Sequence, residues 1–224
     1  MQADPHPTCH GQARERLLEA AAALFAERGF ESVSIREIAS RAGVRHGGVN
    51  YHFQSKRALY LEVLERFGPQ GNQLARGGSP DLHAALQLED PAAAPAALQK
   101  LITSHLRAIN EPLNPVFRGL IEQEMKRPDG PDESIFQNIV LLRHKAYEHL
   151  LTLIAPHLAG SPDLRLYTLG IASQCLIFML ARPCAYRLIE RDPQQPLPEP
   201  EMHRIAEFIM QSTMRSIATP KEKA

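Results

Sequence analysis

Apolar side chains recur along this chain at spacings of three and four, the period of an amphipathic helix, and nowhere alternate over any length as a strand would. In residues 12–29 the stripe is Leu17, Leu18, Ala21, Leu24 and Phe25, closed by Gly29, where a left-handed cap meets no side-chain penalty. Ser34 offers a hydroxyl to a second helix, with Glu37 in capping-box position and Ile35, Ile38 and Ala39 facing inward, and Gly43 stops it. A third, short helix is predicted over 45–51. A fourth starts at Ser55 and runs through Leu59, Tyr60, Val63, Leu64 and Phe67 to Gly68.

Residues 69–91, "PQGNQLARGGSPDLHAALQLEDP", read as a linker loop with room for one helical turn around Leu82 to Leu88. Beyond it Leu98, Leu101, Ile102, His105, Leu106 and Ile109 share a face until Pro112 and Pro115 break the helix. Further helices are predicted at 115–127, 132–155, 163–182 and 199–218, separated by "RPDGPD", "HLAGSPD" and "RDPQQPLPEP". The pattern predicts an all-α chain of nine or ten helices without internal repeats. Its parts are a disordered tail at 1–11, a small helical domain at 12–68, the linker, a larger helical domain at 92–219 and a tail at 220–224.

Charge sharpens this picture only locally. Over 224 residues, 25 basic side chains balance 25 acidic ones, which argues against a protein that coats nucleic acid or membrane along its whole surface. Residues 36–57, by contrast, hold Arg36, Arg41, Arg45, Lys56 and Arg57 against Glu37 alone, the footprint of a local polyanion contact. Cys9, Cys175 and Cys184 are odd in number and far apart, so neither a disulfide framework nor a zinc site is indicated and a reducing cytoplasm fits. The His6, Cys9 and His10 cluster has soft ligands but no second pair downstream, so no metal or cofactor is expected. No signal-peptide core or stretch of about 18 uncharged apolar residues appears, which predicts a soluble protein without a membrane partner.

Residues 34–53, "SIREIASRAGVRHGGVNYHF", fit a helix-turn-helix. Ala39 is small where two helices approach, Gly43 supplies the positive φ of the turn, and Val44, Val49 and Phe53 plug the core beneath. The second helix of such a motif enters the major groove, while flanking groups hold phosphates. Gly47 and Gly48 each cost about 1 kcal/mol in helix propensity relative to alanine, and we read them as permitting close approach of the backbone to the groove wall.

"RERLLEAAAALFAERGFESVSIREIASRAGVRHGGVNYHFQSKRALYLEVLERF", residues 13–67, closely resembles the N-terminal domain of TetR-family transcriptional regulators: helix, G-F, S-I-R-E-I-A, A-G-V, then Y-H-F and S-K-x-x-L. The resemblance implies a homodimer that binds a palindromic DNA operator and a C-terminal helical domain that senses a small molecule. Carried over by position, Ser34 and Arg36 become phosphate contacts and Arg45, His46, Gly47 and Asn50 the base-facing set. Tyr51 and His52 become backbone or edge contacts, and Lys56 a phosphate anchor. Arg45 stands where Ser or Thr is usual, His46 where lysine is frequent and Asn50 where tyrosine is frequent. "NYHF" with "NPVFRGLIEQEMKRP" is similar to the CecR-like branch, whose members tend to govern efflux or drug-sensitivity genes.

An effector pocket is expected between the central helices. The candidates are His105, Phe117, Ile121, Glu124 and Met125, then Arg143, His144 and Tyr147 from the next helix, and Gln174, Phe178 and Met179 from the one after, with Glu124 and Arg143 alternatively a mere ion pair. For the dimer, Leu166, Leu169, Gly170, Ser173, Leu176, Ile177 and Leu180 form one stripe, and Ile205, Phe208, Ile209 and Met214 a second. Two copies of those helices would complete a four-helix bundle. Repression is the family default. A transcriptional activator of the same fold and an α-helical enzyme using His105, His144 and Cys175 in the C-terminal domain stay open at this point.

Overall fold

The computed structural model describes residues 9–45, 47–67, 79–110 and 115–218, and every regular element among them is helical. In chain order these are α1 (Cys9–Ser32), α2 (Ile35–Arg41), α3 (Gly48–Phe53), α4 (Lys56–Phe67), α5 (Pro80–Leu86) and α6 (Ala94–Asn110). There follow α7 (Pro115–Met125), α8 (Glu133–Ile135), α9 (Leu142–Ile154), α10 (Pro162–Leu180), α11 (Arg182–Leu188) and α12 (Glu199–Ala218). A π-helix, Phe136–Leu141, joins α8 to α9, and a 3-10 turn, Pro156–Leu158, follows α9. The all-α expectation holds. His6, His46, residues 69–78 of the predicted linker and the tail at 220–224 lie outside the described residues.

The chain divides into two compact units, Met1–Arg76 with Asn114–Asp132, and Gly77–Leu113 with Glu133–Ala224. In the first, the predicted stripe Leu17, Leu18, Ala21, Leu24 and Phe25 is buried, and helix α1 begins at Cys9, inside the stretch predicted as a tail. Gly29 has φ 77 and ψ 164, a conformation open essentially to glycine alone, and it kinks the helix before Phe30. Phe25 and Phe30 then pack on Tyr60 of α4 with ring centroids 5.1 and 4.9 Å away.

By its contacts helix α7 groups with this first unit, although it lies inside the stretch predicted as the domain at 92–219. The reason is a close approach to α1: a Cβ on Gly119 would lie 2.9 Å from both the Cβ and the carbonyl oxygen of Ala26. Gln123 adds a hydrogen bond from its amide to the Glu27 carbonyl at 3.3 Å, and Leu120 and Ile121 are buried.

In the second unit α6, α9 and α10 pack on one another, with α12 against α6 and α5 against α9. The predicted face of α6, Leu98, Leu101, Ile102, His105, Leu106 and Ile109, is buried. Two predicted helices are each divided. Residues 132–155 become α8, the π-helix and α9, and the helix predicted to end at 182 stops at Leu180, with α11 following. Pro183 sits in the first turn of α11, the place where a ring and a missing N–H cost least. The Pro-rich segment that follows is tied down: Asn110, buried at the end of α6, donates to the Leu197 carbonyl at 3.0 Å and accepts from the Leu197 N–H at 2.9 Å and from the Tyr186 hydroxyl. Helix α10 is long and apolar enough, by length and composition alone, to cross a membrane, but Leu164, Thr168, Ile171, Ala172, Cys175 and Met179 are buried within this unit.

Candidate nucleic-acid interface

The turn between α2 and α3 is built from three devices the residues dictate. Ser34 Oγ accepts the Glu37 N–H at 3.2 Å, while the Glu37 carboxylate accepts the Ser34 N–H and hydroxyl, both at 2.8 Å, completing the capping box. These hydrogen bonds from Ser34, reinforced by one from Arg28, pull the Glu37 carboxyl down to about 2. At the other end Gly43 takes φ 62, and the N–H groups of Gly43 and Val44 reach the carbonyls of Ser40 at 3.1 Å and Ala39 at 2.9 Å, a Schellman closure. Beneath, Val49 and Phe53 are buried and Val44 half-buried.

Helix α3 starts at Gly48, three residues later than predicted. The Gly48 N–H reaches the Arg45 carbonyl at 2.8 Å, and Arg45 precedes the helix. The two glycines differ in role. A Cβ on Gly48 would lie 2.5 Å from Cγ1 of Val44, so a side chain here requires Val44 to shift, whereas Gly47 has nothing within 4 Å and remains the open approach point. Arg36, Arg45 and Asn50 are exposed, Tyr51 is 73% exposed and His52 half-buried, while Phe53 is core. The face available to a groove is thus polar and aromatic.

Not all of the local positive charge is equally available. Arg41 pairs with Glu27 at 3.1 Å and Arg57 with Asp132 at 3.0 Å, and Lys56 places its ammonium 4.2 Å above the Phe30 ring, where burial lowers its pKa. Arg36 and Arg45 form no ion pair among the described residues. A phosphate contact by Lys56 requires its ammonium to share itself with, or leave, the ring; one by Ser34 competes with its own cap.

The predicted effector residues fall in different places. Ile121, Glu124 and Met125 belong to the first unit, and the side chain of Phe117 is outside the described residues. Glu124 is 1% exposed and accepts the Tyr60 hydroxyl at 2.6 Å and the Asp132 N–H at 2.7 Å, with Arg127 at 3.5 Å. It therefore fastens α7 to α4 and pairs with Arg127, not with Arg143. Burial and this bond push the Tyr60 phenol far above its ordinary value.

In the second unit His105, Arg143, His144 and Tyr147 do come together. His105 Nδ1 lies 3.1 Å from the Tyr147 hydroxyl, and His144 Nδ1 lies 3.0 Å from the Thr168 hydroxyl. Burial holds both imidazoles below their ordinary pKa and raises the Tyr147 phenol and, to about 12, the Cys175 thiol. Met179 is buried, but Gln174 and Phe178 line an outer groove of about 850 Å³ with Ser173, Ile177, Ile205 and Phe208. On that side Leu166 (64%), Leu169 (56%) and Phe208 (67%) are exposed, as are Ile177 and Leu180. Leu176, Ile205 and Met214 are half-buried, and a Cβ on Gly170 would meet nothing within 4 Å. Ile209 is the exception to the predicted stripe, because it points into the core of its own unit.

Residues 17–63, which hold this helix-turn-helix, match the family described as bacterial regulatory proteins, tetR family. Residues 94–218, more than half of the chain, match the C-terminal domain of the HTH-type transcriptional dual regulator CecR. The chain belongs to the TetR family. It is a transcriptional regulator, and the enzyme reading falls with that assignment. Among curated TetR relatives, the HTH-type transcriptional repressor KstR2 of Mycolicibacterium smegmatis is 39% identical over 61 residues, 27% of this chain and 30% of that protein. Its namesake in Mycobacterium tuberculosis H37Rv is 46% identical over 54 residues, 24% of this chain and 27% of that one. These matches therefore span less than a third of the relatives' own length. Among solved structures, the hemolysin II transcriptional regulator HlyIIR aligns with TM-score 0.57 at 22% identity, over 91% of this chain and 97% of that one. The ketosteroid regulator KstR2 of Mycobacterium tuberculosis aligns at 0.55 and 21%, over 92% and 95%. At these identities the structures share the TetR fold and nothing finer.

Sequence reasoning missed three residues that shape this regulator: Gly119, Asn110 and Tyr60 as a hydrogen-bond donor. A glycine inside an otherwise helical pattern signalled the first. For Asn110 and Tyr60 the signal is only a polar atom on a buried face, which takes coordinates to interpret.

Proposed function

We propose that this chain is a cytoplasmic, homodimeric TetR-family repressor that binds a palindromic operator and is released by a small hydrophobic or amphipathic effector. The observation that carries the reading is the segment around α3, where Arg45 just before the helix and Asn50 and Tyr51 on it are exposed beyond a capped turn while Val49 and Phe53 are buried. Arginine matches guanine O6 and N7 and asparagine matches adenine, so the face has the donors and acceptors for base choice. The exposed apolar side chains of α10 and α12 support pairing of two copies through that side, with Gly170 open for close contact.

A dimer fixes two recognition helices about 34 Å apart or at a multiple of that, one DNA turn. An effector that favours another separation weakens DNA binding by the factor by which DNA weakens its own binding. The resemblance of "NYHF" and "NPVFRGLIEQEMKRP" to the CecR-like branch extends the proposal to genes of efflux or drug sensitivity as the targets. Selection from random duplexes tests the reading: enrichment of a palindrome that Phe208→Glu, a monomer by sedimentation, no longer retains is expected, and absence of any enriched palindrome overturns it.

A further inference from the structure

Arg143 opens the first turn of α9, at the junction where α6, α9 and α10 pack together. Its Nη1 is buried with no hydrogen-bond partner, and among the described residues it forms no ion pair. The Tyr147 oxygen faces this guanidinium as a hydrogen-bond acceptor, but no carboxylate among the described residues pairs with it. His105 is buried and held neutral by its burial, Tyr147 and Cys175 are held protonated, and Glu148, the acid that acts on His144, is 3.9 Å from Arg165. A guanidinium nitrogen withdrawn from water without an acceptor is expensive, and a protein keeps such a group where something else supplies the acceptor. Independently, the residues leading into Arg143 form the six-residue π-helix Phe136–Leu141, a rare arrangement found frequently at functional sites.

We propose that Arg143 receives the carboxylate head of an amphipathic effector, with the Tyr147 hydroxyl as second donor and the apolar side chains of α6 and α10 against its tail. This rests on the reading of the chain as a ligand-released repressor and names the chemical class of the ligand. With the proton of His105 on Nδ1, that N–H donates to the Tyr147 oxygen and leaves the phenol proton to point at the ligand. One guanidinium with a buried Nη1 is neutralised by one monovalent head, whereas a phosphate dianion would bring a second negative charge that has no partner. The planar fork also favours carboxylate over a single-atom acceptor.

The test uses the full-length protein with decanoate, 4-phenylbutyrate and cholate, each beside its primary amide, against wild type, Arg143→Met and Arg143→Lys. Thermal shift and calorimetric titration read binding, and fluorescence anisotropy with the selected operator reads release. At least one acid is expected to raise Tm by about 4 °C or more at saturation while its amide does not. Arg143→Met, melting no lower than wild type, is expected to weaken that acid by about 10- to 100-fold, with Arg143→Lys intermediate. If no acid outperforms its amide, or Arg143→Met binds the acid as well as wild type does, the proposal is overturned. An amide that releases the operator as well as its acid also overturns it, yet leaves the ligand-released repressor intact. An acid that binds through Arg143 without changing operator affinity keeps the site and removes the effector role.

Discussion

Replacing Tyr60 by phenylalanine removes one oxygen atom from the join between α4 and α7. The ring contacts with Phe25 and Phe30, at 5.1 and 4.9 Å, stay in place, so the change isolates the hydrogen bond to Glu124 at 2.6 Å. Both partners are buried, at 2% and 1% exposure, and no water can replace the lost donor. After the substitution Glu124 Oε1 has only Arg127 Nη1 at 3.5 Å, too long to compensate, while Oε2 keeps the Asp132 N–H at 2.7 Å. A hydrogen bond to a charged group contributes about 1.5–3 kcal/mol, and an orphaned buried acceptor places this one in the upper half of that range, about 2–3 kcal/mol. Urea unfolding of the full chain, followed by far-UV circular dichroism, reads the loss in the transition of the first unit. A cycle with Glu124→Gln is expected to give a coupling of about 1–2 kcal/mol. A loss below about 0.5 kcal/mol for Tyr60→Phe, or additive single changes, would refute the account of how α7 is held.

Three further outcomes follow from the same structure. Gly119→Ala should destabilise the protein by about 1–3 kcal/mol, because its new methyl meets the Ala26 backbone and not a movable side-chain end; an unchanged urea midpoint would show that α1 and α7 can separate at no cost. The Glu37 carboxyl titrates lower in the folded chain, at about 2, than its ordinary 4.5, so its contribution is present above 4.5 and lost as pH falls towards 2; Glu37→Gln should approach wild-type stability through that window, and a pH-independent difference would contradict the capping box. On a selected operator, Arg45→Ala or Asn50→Ala should cost about 1–3 kcal/mol at one base position and relax choice there, whereas Arg36→Ala should weaken all sequences evenly and reduce the salt slope by about 1; anisotropy titrations at several salt concentrations separate the two patterns.

The helix-turn-helix was legible because its determinants are local. A capping box, a positive-φ glycine and a period of 3.6 are each written within a few residues, and Ser34, Gly43 and Phe53 stand where that grammar puts them. The start of α3 was misplaced because "RHGGVN" permits a turn or a helix, and residue pattern alone does not decide between them. Long-range choices were illegible for the same reason. Nothing near Gly119 says that α7 will pair with α1, and nothing near Glu124 says that its partner is 64 residues away. Whether Ile209 of α12 faces out or in depends on a rotation of the helix that periodicity leaves free.

The contact between Gly48 and Val44 also constrains how such a surface can change over generations. A side chain at position 48 has to displace the Val44 methyl before it meets any base, so recruiting that position to read a new sequence carries a packing cost. Retargeting this regulator runs more readily through Arg45, Asn50 and Tyr51, which are exposed. Variation in what the protein reads and conservation of how it holds the reading helix are thereby assigned to neighbouring residues of one short segment.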